Sequence, residues 1–350
     1  MKKLKRAAGT VVFLSIAIVL LTAASYLVRP EDGELRISRL RGFYAEPKES
    51  IDVVFTGSSA TYRFINPLQL WENYGFTAYA MSAPSQPVAV MKYLIDEAER
   101  TQSPQLYVVE CRRLFAGGSV AGQAQIRWTA DAMPYSVNRF KAVREMTKEY
   151  EDPLPYYLDI IKYHDNWEQI NKESIKRLAE GLKLDGKGWY NHNGWKEGLS
   201  RPKLVSEDEK LPIIEFQENQ LRELIAKCKS EGKEVLFLLT PYKISGEDQK
   251  KANYVREIVE EGGYRFLDCN RYYDEIGIDF GVDYYDWKHT NTLGAEKVTR
   301  FIGNYIMENY SLETEYNDKI TADWNEAAAA AHKGYEEAKE TILTKAGVNN

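Results

Sequence analysis

Five short runs constrain the fold of this chain more than any other feature: "IDVVFTG" (51–57), "FTAYAMS" (76–82), "PQLYVVEC" (104–111), "EVLFLLTP" (234–241) and "YRFLDC" (264–269). Several are nearly all apolar instead of alternating with polar residues, the mark of a strand buried on both faces. Helix-period segments lie between or after them, including 86–101, 214–231, 246–261 and 291–309. Strand and helix in alternation predict an α/β fold with an open, mostly parallel sheet covered by helices on both faces. In such sheets ligands bind beyond the carboxyl ends of the strands, so the residues that follow each run are the first place to look for chemistry. At 350 residues and 44% hydrophobic, the chain can bury one such core together with a sizeable insertion.

The first residues set the compartment. Lys2, Lys3, Lys5 and Arg6 precede an uncharged stretch, Ala7–Val28, long enough to cross the ~30 Å hydrocarbon core as a helix. A cleaved signal peptide would usually have an apolar region of about 7–15 residues and a small-x-small site, whereas this one continues through Tyr26-Leu27-Val28. The segment therefore reads as an uncleaved signal anchor, with the cleaved peptide as the alternative. Basic residues before the helix and the acidic Glu31 and Asp32 after it predict a single-pass protein of the cell membrane with residues 31–350 outside the cytoplasm. That placement excludes ATP and acyl-CoA as direct substrates.

The chain divides into a basic end and anchor (1–30), a first α/β part (31–114), an insertion (115–212), a second α/β part (213–312) and a helical tail (313–350). The insertion is rich in Trp, Tyr and charge, is too long for a simple crossover, and reads as a helical cap over the strand ends or as a decorative subdomain. In the tail, Trp324, Ala328, Ala331, Tyr335, Ala338 and Ile342 form one stripe, which predicts a helix docked on its own domain; a partner-binding helix is the alternative. Cys111, Cys228 and Cys269 include no CxxC pair and read as core residues, with neither a disulfide nor a metal site expected. A formal charge of −6 and no Lys/Arg block beyond the first six residues argue against nucleic acid.

At the end of the first run stand Gly57-Ser58-Ser59. A serine becomes a nucleophile when a base takes its proton and a third group orients that base. Of the four histidines, His332 lies in an alanine-rich helix, His192 in a glycine-rich loop and His164 inside the insertion. His289 stands in "DYYDWKHTNTLGAEKV", just before a helix with apolar Val298, Phe301, Ile302 and Tyr305. Asp286 precedes it by three residues, a spacing that puts both on one side of a turn. Taken alone, the same residues also fit a capping turn with a surface histidine.

A strand ending in Gly-x-Ser near the start and Asp-x-x-His before the last helix resemble the SGNH (GDSL-like) hydrolase superfamily. The nearer likeness is to its membrane-anchored, extracytoplasmic branch, which includes the DltD proteins of teichoic acid D-alanylation and the alginate O-acetylation proteins. The resemblance covers roughly 50–112 and 233–309. It implies a flavodoxin-like three-layer sandwich, Ser59 as nucleophile, His289 as general base, Asp286 as its orienting acid, Ser58 in the variable middle position and Gly57 as the tight turn. It implies no cofactor.

Two exits depart from the family pattern, whose oxyanion donors are a glycine amide and an asparagine side chain. The second-strand exit, "AMSAPSQPV", lacks glycine, so an amide near Ser82 or Ser85 would serve. The third, "VVECRRLF", carries Glu110, which cannot donate a hydrogen bond when ionised, so that either Arg112, Arg113 or the amide of Ser59 takes over or the oxyanion hole is poor. Arg63 is placed to hold an anionic group such as a phosphate or uronate, although a surface salt bridge is the commoner fate of such an arginine. The resemblance leads to an acyl-ester enzyme that passes an acetyl or D-alanyl group to a cell-envelope polysaccharide or teichoic acid, with a polytopic membrane O-acyltransferase as donor partner. An envelope esterase and a non-catalytic partner of such a transferase are the alternatives.

Overall fold

In the computed structural model, which describes residues 2–30, 37–118, 121–148, 152–180, 184 and 186–348, five strands make one parallel sheet. They are β1 (Val53–Gly57), β2 (Ala78–Ser82), β3 (Leu106–Glu110), β4 (Val235–Leu239) and β5 (Arg265–Asp268), in the order β2-β1-β3-β4-β5. Each lies inside one of the apolar runs, and every residue of β1 to β4 is buried. Gly57 pairs with Ser82, and Val53 pairs with Leu106, so the ends of β1, β2 and β3 emerge side by side.

The anchor segment forms α1 (Lys2–Leu27), and α2 (Ser38–Gly42) follows it. Helices α3 (Ser59–Phe64) and α4 (Pro67–Tyr74) link β1 to β2, and α5 (Val88–Ala98) links β2 to β3. The insertion carries α6 (Gln123–Ala130), α7 (Val137–Thr147), α8 (Leu154–Tyr157), α9 (Asp159–Tyr163) and α10 (Lys172–Glu180). Then come α11 (Glu215–Ser230), α12 (Gly246–Glu261), α13 (Tyr273–Ile276), α14 (Thr292–Asn309) and α15 (Asp318–Ala346). The period-2 alternation of the strands sends Val54, Val109 and Phe237 into a core beneath α5, α11 and α12, and Phe55, Val108 and Leu236 into a second core beneath α3 and α14.

In α15, Trp324, Ala328, Tyr335, Ala338 and Ile342 are buried, and Trp324 packs against Trp71 of α4, so the tail is docked on its own domain. The three cysteines are free and buried. Residues Lys3–Leu27 of α1 make a helix long and apolar enough to cross a membrane, with mean hydropathy 2.3 over its most apolar window. Only its end enters the body, where Arg29 is buried and bonds Asp159 at 2.6 Å. Glu31 and Asp32, on which the orientation argument leans, lie outside the described residues.

The insertion differs from the expected cap. Its helices pack beside α5, through α7, and around the end of α1, through α9 and α10. The part that reaches the carboxyl ends of the strands is the stretch 186–214, which carries no helix: the amide of Tyr190 donates to the carbonyl of Tyr62 at 3.0 Å, and the amide of Thr292 donates to that of His192 at 3.0 Å.

Candidate active site

Ser59 is the first residue of α3, reached through an extended Ser58 directly after β1. Gly57 is required here by close packing: a Cβ at this position would lie 2.5 Å from Thr61 Oγ1 and 2.7 Å from the Cβ of Glu110. Only a glycine lets β1 end against β3 while the chain turns into the helix.

The histidine arrives from the other end of the chain on a loop closed by the Tyr284–Thr290 bridge. Asp286 shapes that loop, because its Oδ1 accepts the amides of Lys288 at 2.6 Å and His289 at 2.8 Å. Its Oδ2 stands 2.9 Å from His289 Nδ1. On the far side of the ring, Nε2 lies 2.8 Å from Ser59 Oγ. A carboxylate that holds the proton on Nδ1 leaves Nε2 free to accept the serine proton. Hydrogen bonds close to the site tie the two halves together: Thr290 Oγ1 donates to the carbonyl of Arg63 at 3.0 Å, Thr299 Oγ1 donates to that of Phe64 at 3.1 Å, and the Asn66 amide donates to Thr299 Oγ1 at 3.0 Å.

Burial is the largest influence on His289 and pushes its pKa down; the hydrogen bond that His289 donates to Asp286 opposes this, the charges of Arg112 and Arg63 add to it, and the net shift is downward. Burial acts to raise Asp286, but the bond and charge of His289 and the two loop amides outweigh it, and the carboxyl ends below its usual range. The site therefore holds a neutral imidazole next to a carboxylate near neutral pH, the protonation state a general base needs.

Arg112 supports the loop from beneath. Its Nη1 donates to the carbonyl of Lys288 at 2.6 Å and its Nη2 donates to Thr240 Oγ1 at 2.6 Å, while the guanidinium packs over the rings of Tyr242 and Phe64. Glu110 is buried at the end of β3, where its carboxylate accepts from Thr240 Oγ1 at 3.1 Å and from the Arg112 amide at 3.3 Å. Burial raises its pKa against the pull of Arg112. Both oxygens are turned to this network, which braces Arg112.

Arg63 forms no ion pair among the described residues. Its guanidinium sits 4.2 Å from the ring centroid of Tyr190, 5.1 Å from Tyr285 and 5.4 Å from Tyr62, and its Nε and Nη1 are buried without a hydrogen-bond partner. The surface salt bridge expected as its commoner fate is not formed. Ser85 lies in the turn after β2 with φ of 47°, a left-handed conformation that favours glycine.

His192, set aside in the sequence as a loop residue, belongs to this cluster. Its ring stacks on Tyr285 at 3.7 Å, and Tyr285 in turn stacks on His289 at 5.6 Å. The Gly194 amide donates to His192 Nδ1 at 3.0 Å. Burial, followed by the charge of Arg63, lowers its pKa to about 4, so it is neutral near neutral pH. No periodicity pointed to it; only the tertiary path of the insertion brings it here. Trp287, next to Asp286 in the chain, is 53% exposed. Among the described residues no group of three or more His, Cys, Asp or Glu is placed to hold a metal ion. No protein-family model matches the chain, and no curated protein matches it.

Proposed function

We propose that the chain is a membrane-anchored, extracytoplasmic serine acyl-ester enzyme of the SGNH (GDSL-like) kind. The observation that carries the reading is the unbroken relay from Ser59 Oγ to His289 Nε2 and from Nδ1 to Asp286, at 2.8 and 2.9 Å. The 2-1-3-4-5 strand order supports the finer, flavodoxin-like reading of the fold, and Ser59 stands at the β1 exit beside the β1/β3 switch point where such sheets bind ligands.

Ser59 Oγ gives its proton to His289 Nε2 and attacks the ester carbonyl. The tetrahedral intermediate collapses when the leaving alkoxide takes that proton back, which leaves the acyl group on Ser59. An acceptor hydroxyl then loses its proton to His289 and attacks the acyl carbonyl, and the departing Ser59 Oγ takes that proton back from His289, which restores the serine and the neutral imidazole. As the first residue of α3, Ser59 has no intrahelical acceptor for its own amide, which is our candidate oxyanion donor together with an amide of the Ser85 turn.

The acceptor we favour is a hydroxyl of a cell-envelope polysaccharide or teichoic acid, supported by the rings of Tyr190 and Tyr285 and by the unpaired Arg63 that they flank, which suits a phosphate or carboxylate on the polymer. The donor is an acetyl or D-alanyl ester delivered by a polytopic membrane O-acyltransferase. Ser59 and His289 are only half-buried, so water is the competing acceptor, and an envelope esterase is the second reading.

The test is to incubate the full chain with p-nitrophenyl acetate, quench early and look for an acetylated Ser59 peptide by mass spectrometry. Acetylation lost in Ser59→Ala and His289→Ala supports the reading, and adding wall polymer then separates transfer from hydrolysis. A folded wild type that neither turns over the ester nor acetylates would favour a non-catalytic partner of the transferase.

A further inference from the structure

We propose that the helical part of the insertion is seated in the outer leaflet of the bilayer beside α1, with the acyl chains of leaflet lipids as its apolar partner. Between α1 and α7 runs a largely apolar groove of about 780 Å³, lined by Ile18 and Leu21 from one side and by Val137, Phe140, Tyr157 and Leu158 from the other. Around it the insertion exposes large apolar side chains: Val137, Phe140, Leu154, Ile161, Trp167 and Ile175 are 42% to 70% exposed. Phe140 and Tyr157 stack at 3.9 Å, which makes a continuous aromatic face from two helices.

Depth along α1 chooses the occupant. At about 1.5 Å per residue, the uncharged stretch Ala7–Val28 is ~33 Å long, close to the thickness of the hydrocarbon core. Ile18, ten residues before Val28, then lies ~15 Å below the end of that stretch. The groove runs from Ile18 to Ser25, and so occupies the depth of one leaflet. The insertion cannot lift away from this depth, because the end of α1 is locked into it. Arg29 Nε bonds Asp159 at 2.6 Å and its Nη1 bonds the Asp131 carbonyl at 2.8 Å, while Asn166 bonds the carbonyl of Val28 at 3.0 Å. If α1 spans, Val137 and Phe140 are immersed.

Polar chemistry follows the same order. Exposed Lys141 and Arg144 stand one turn further along α7 than Val137 and Phe140, where they meet headgroup phosphates, and Trp167 has the amphipathic ring that suits the interface. The groove and the strand exits lie at opposite ends of α5: Asn138 bonds Glu97 at its last turn, whereas Met146 approaches Val88 and Ala89 at its first. The immersed face therefore holds the carboxyl ends of the strands, with Ser59, at the end of the domain away from the bilayer.

The three native cysteines are buried, so an introduced cysteine takes an NBD label selectively. The full chain, carrying the label at F140C, W167C or E247C, is reconstituted in vesicles of phosphatidylethanolamine and phosphatidylglycerol, with L14C reporting that α1 has inserted. Position 247 is exposed at the start of α12, in the turns that follow β4. Labels at 140 and 167 are expected to be quenched several-fold more by doxyl groups on lipid chains than the label at 247, and the immersed label at 140 to be shielded from aqueous dithionite as well. Labels at 140 and 167 that respond like 247 while 14 is inserted would overturn the proposal and leave this face to a protein.

Discussion

Ser59 Oγ and His289 Nε2 are 230 residues apart in the chain and 2.8 Å apart in space. Each is fixed by its own short-range device, Ser59 by a strand-to-helix turn that only glycine permits and His289 by the Asp286 loop, and Thr290 latches one device to the other. Catalysis by such a pair depends on geometry, so the predictions concern what holds it.

In the proposed mechanism Arg112 positions the His289 loop and does not touch the reacting atoms. Arg112→Met frees the Lys288 carbonyl and lets the His289 loop shift. We expect ester turnover to fall by roughly 10²-fold, mostly in kcat, since misplacement of about 1 Å has that effect. An unchanged kcat would show that Asp286 alone shapes the loop.

Gly57→Ala puts a methyl group against Thr61 and Glu110. The expected cost is about 1–3 kcal/mol of stability from overpacking. Thr61→Ala in the same chain relieves one clash but not the 2.7 Å approach to Glu110, so thermal melting of the double variant should recover only part of the loss.

The pH profile follows from the lowered pKa of His289. The base works when neutral, so kcat/KM rises with pH through that pKa, and this acid limb should lie below the range of an ordinary histidine. Arg63 contributes positive charge that disfavours the imidazolium, and Arg63→Gln should therefore move the limb to higher pH. A limb that moves down, or not at all, contradicts the assigned role of Arg63.

Lys187 is fully buried between Glu46 at 2.8 Å and Asp323 at 3.0 Å, and so pins the insertion to α15 and to the chain before β1. Lys187→Met removes the cation from between two carboxylates, and breaking a buried pair in this way costs about 3–5 kcal/mol. Chemical denaturation should show that loss while the rate of the folded fraction with a small ester stays near wild type.

The strands were legible because burial on both faces leaves runs such as "VLFLL" with almost no polar residue, and α11, α12 and α14 because each has sixteen or more residues with one apolar face. Ser59, Asp286 and His289 were legible because each short-range device is local in sequence. His192 and Lys187 were not: a histidine in a glycine-rich loop and a lysine at its start carry no local signal of their surroundings, and only long-range packing gives them their partners. Arg63 misled for the same reason, since its tyrosine surround is assembled from α3, the insertion and the His289 loop.

The most direct measurement is labelling of the full chain by a fluorophosphonate probe, with wild type, Ser59→Ala, His289→Ala and Asp286→Asn compared after circular dichroism has shown each to be folded. The account predicts a label on Ser59 in the wild type, none in Ser59→Ala, and slow or absent labelling in the other two. A folded wild type that takes no label, or a label that persists in Ser59→Ala, would contradict the claim that this serine is an activated nucleophile.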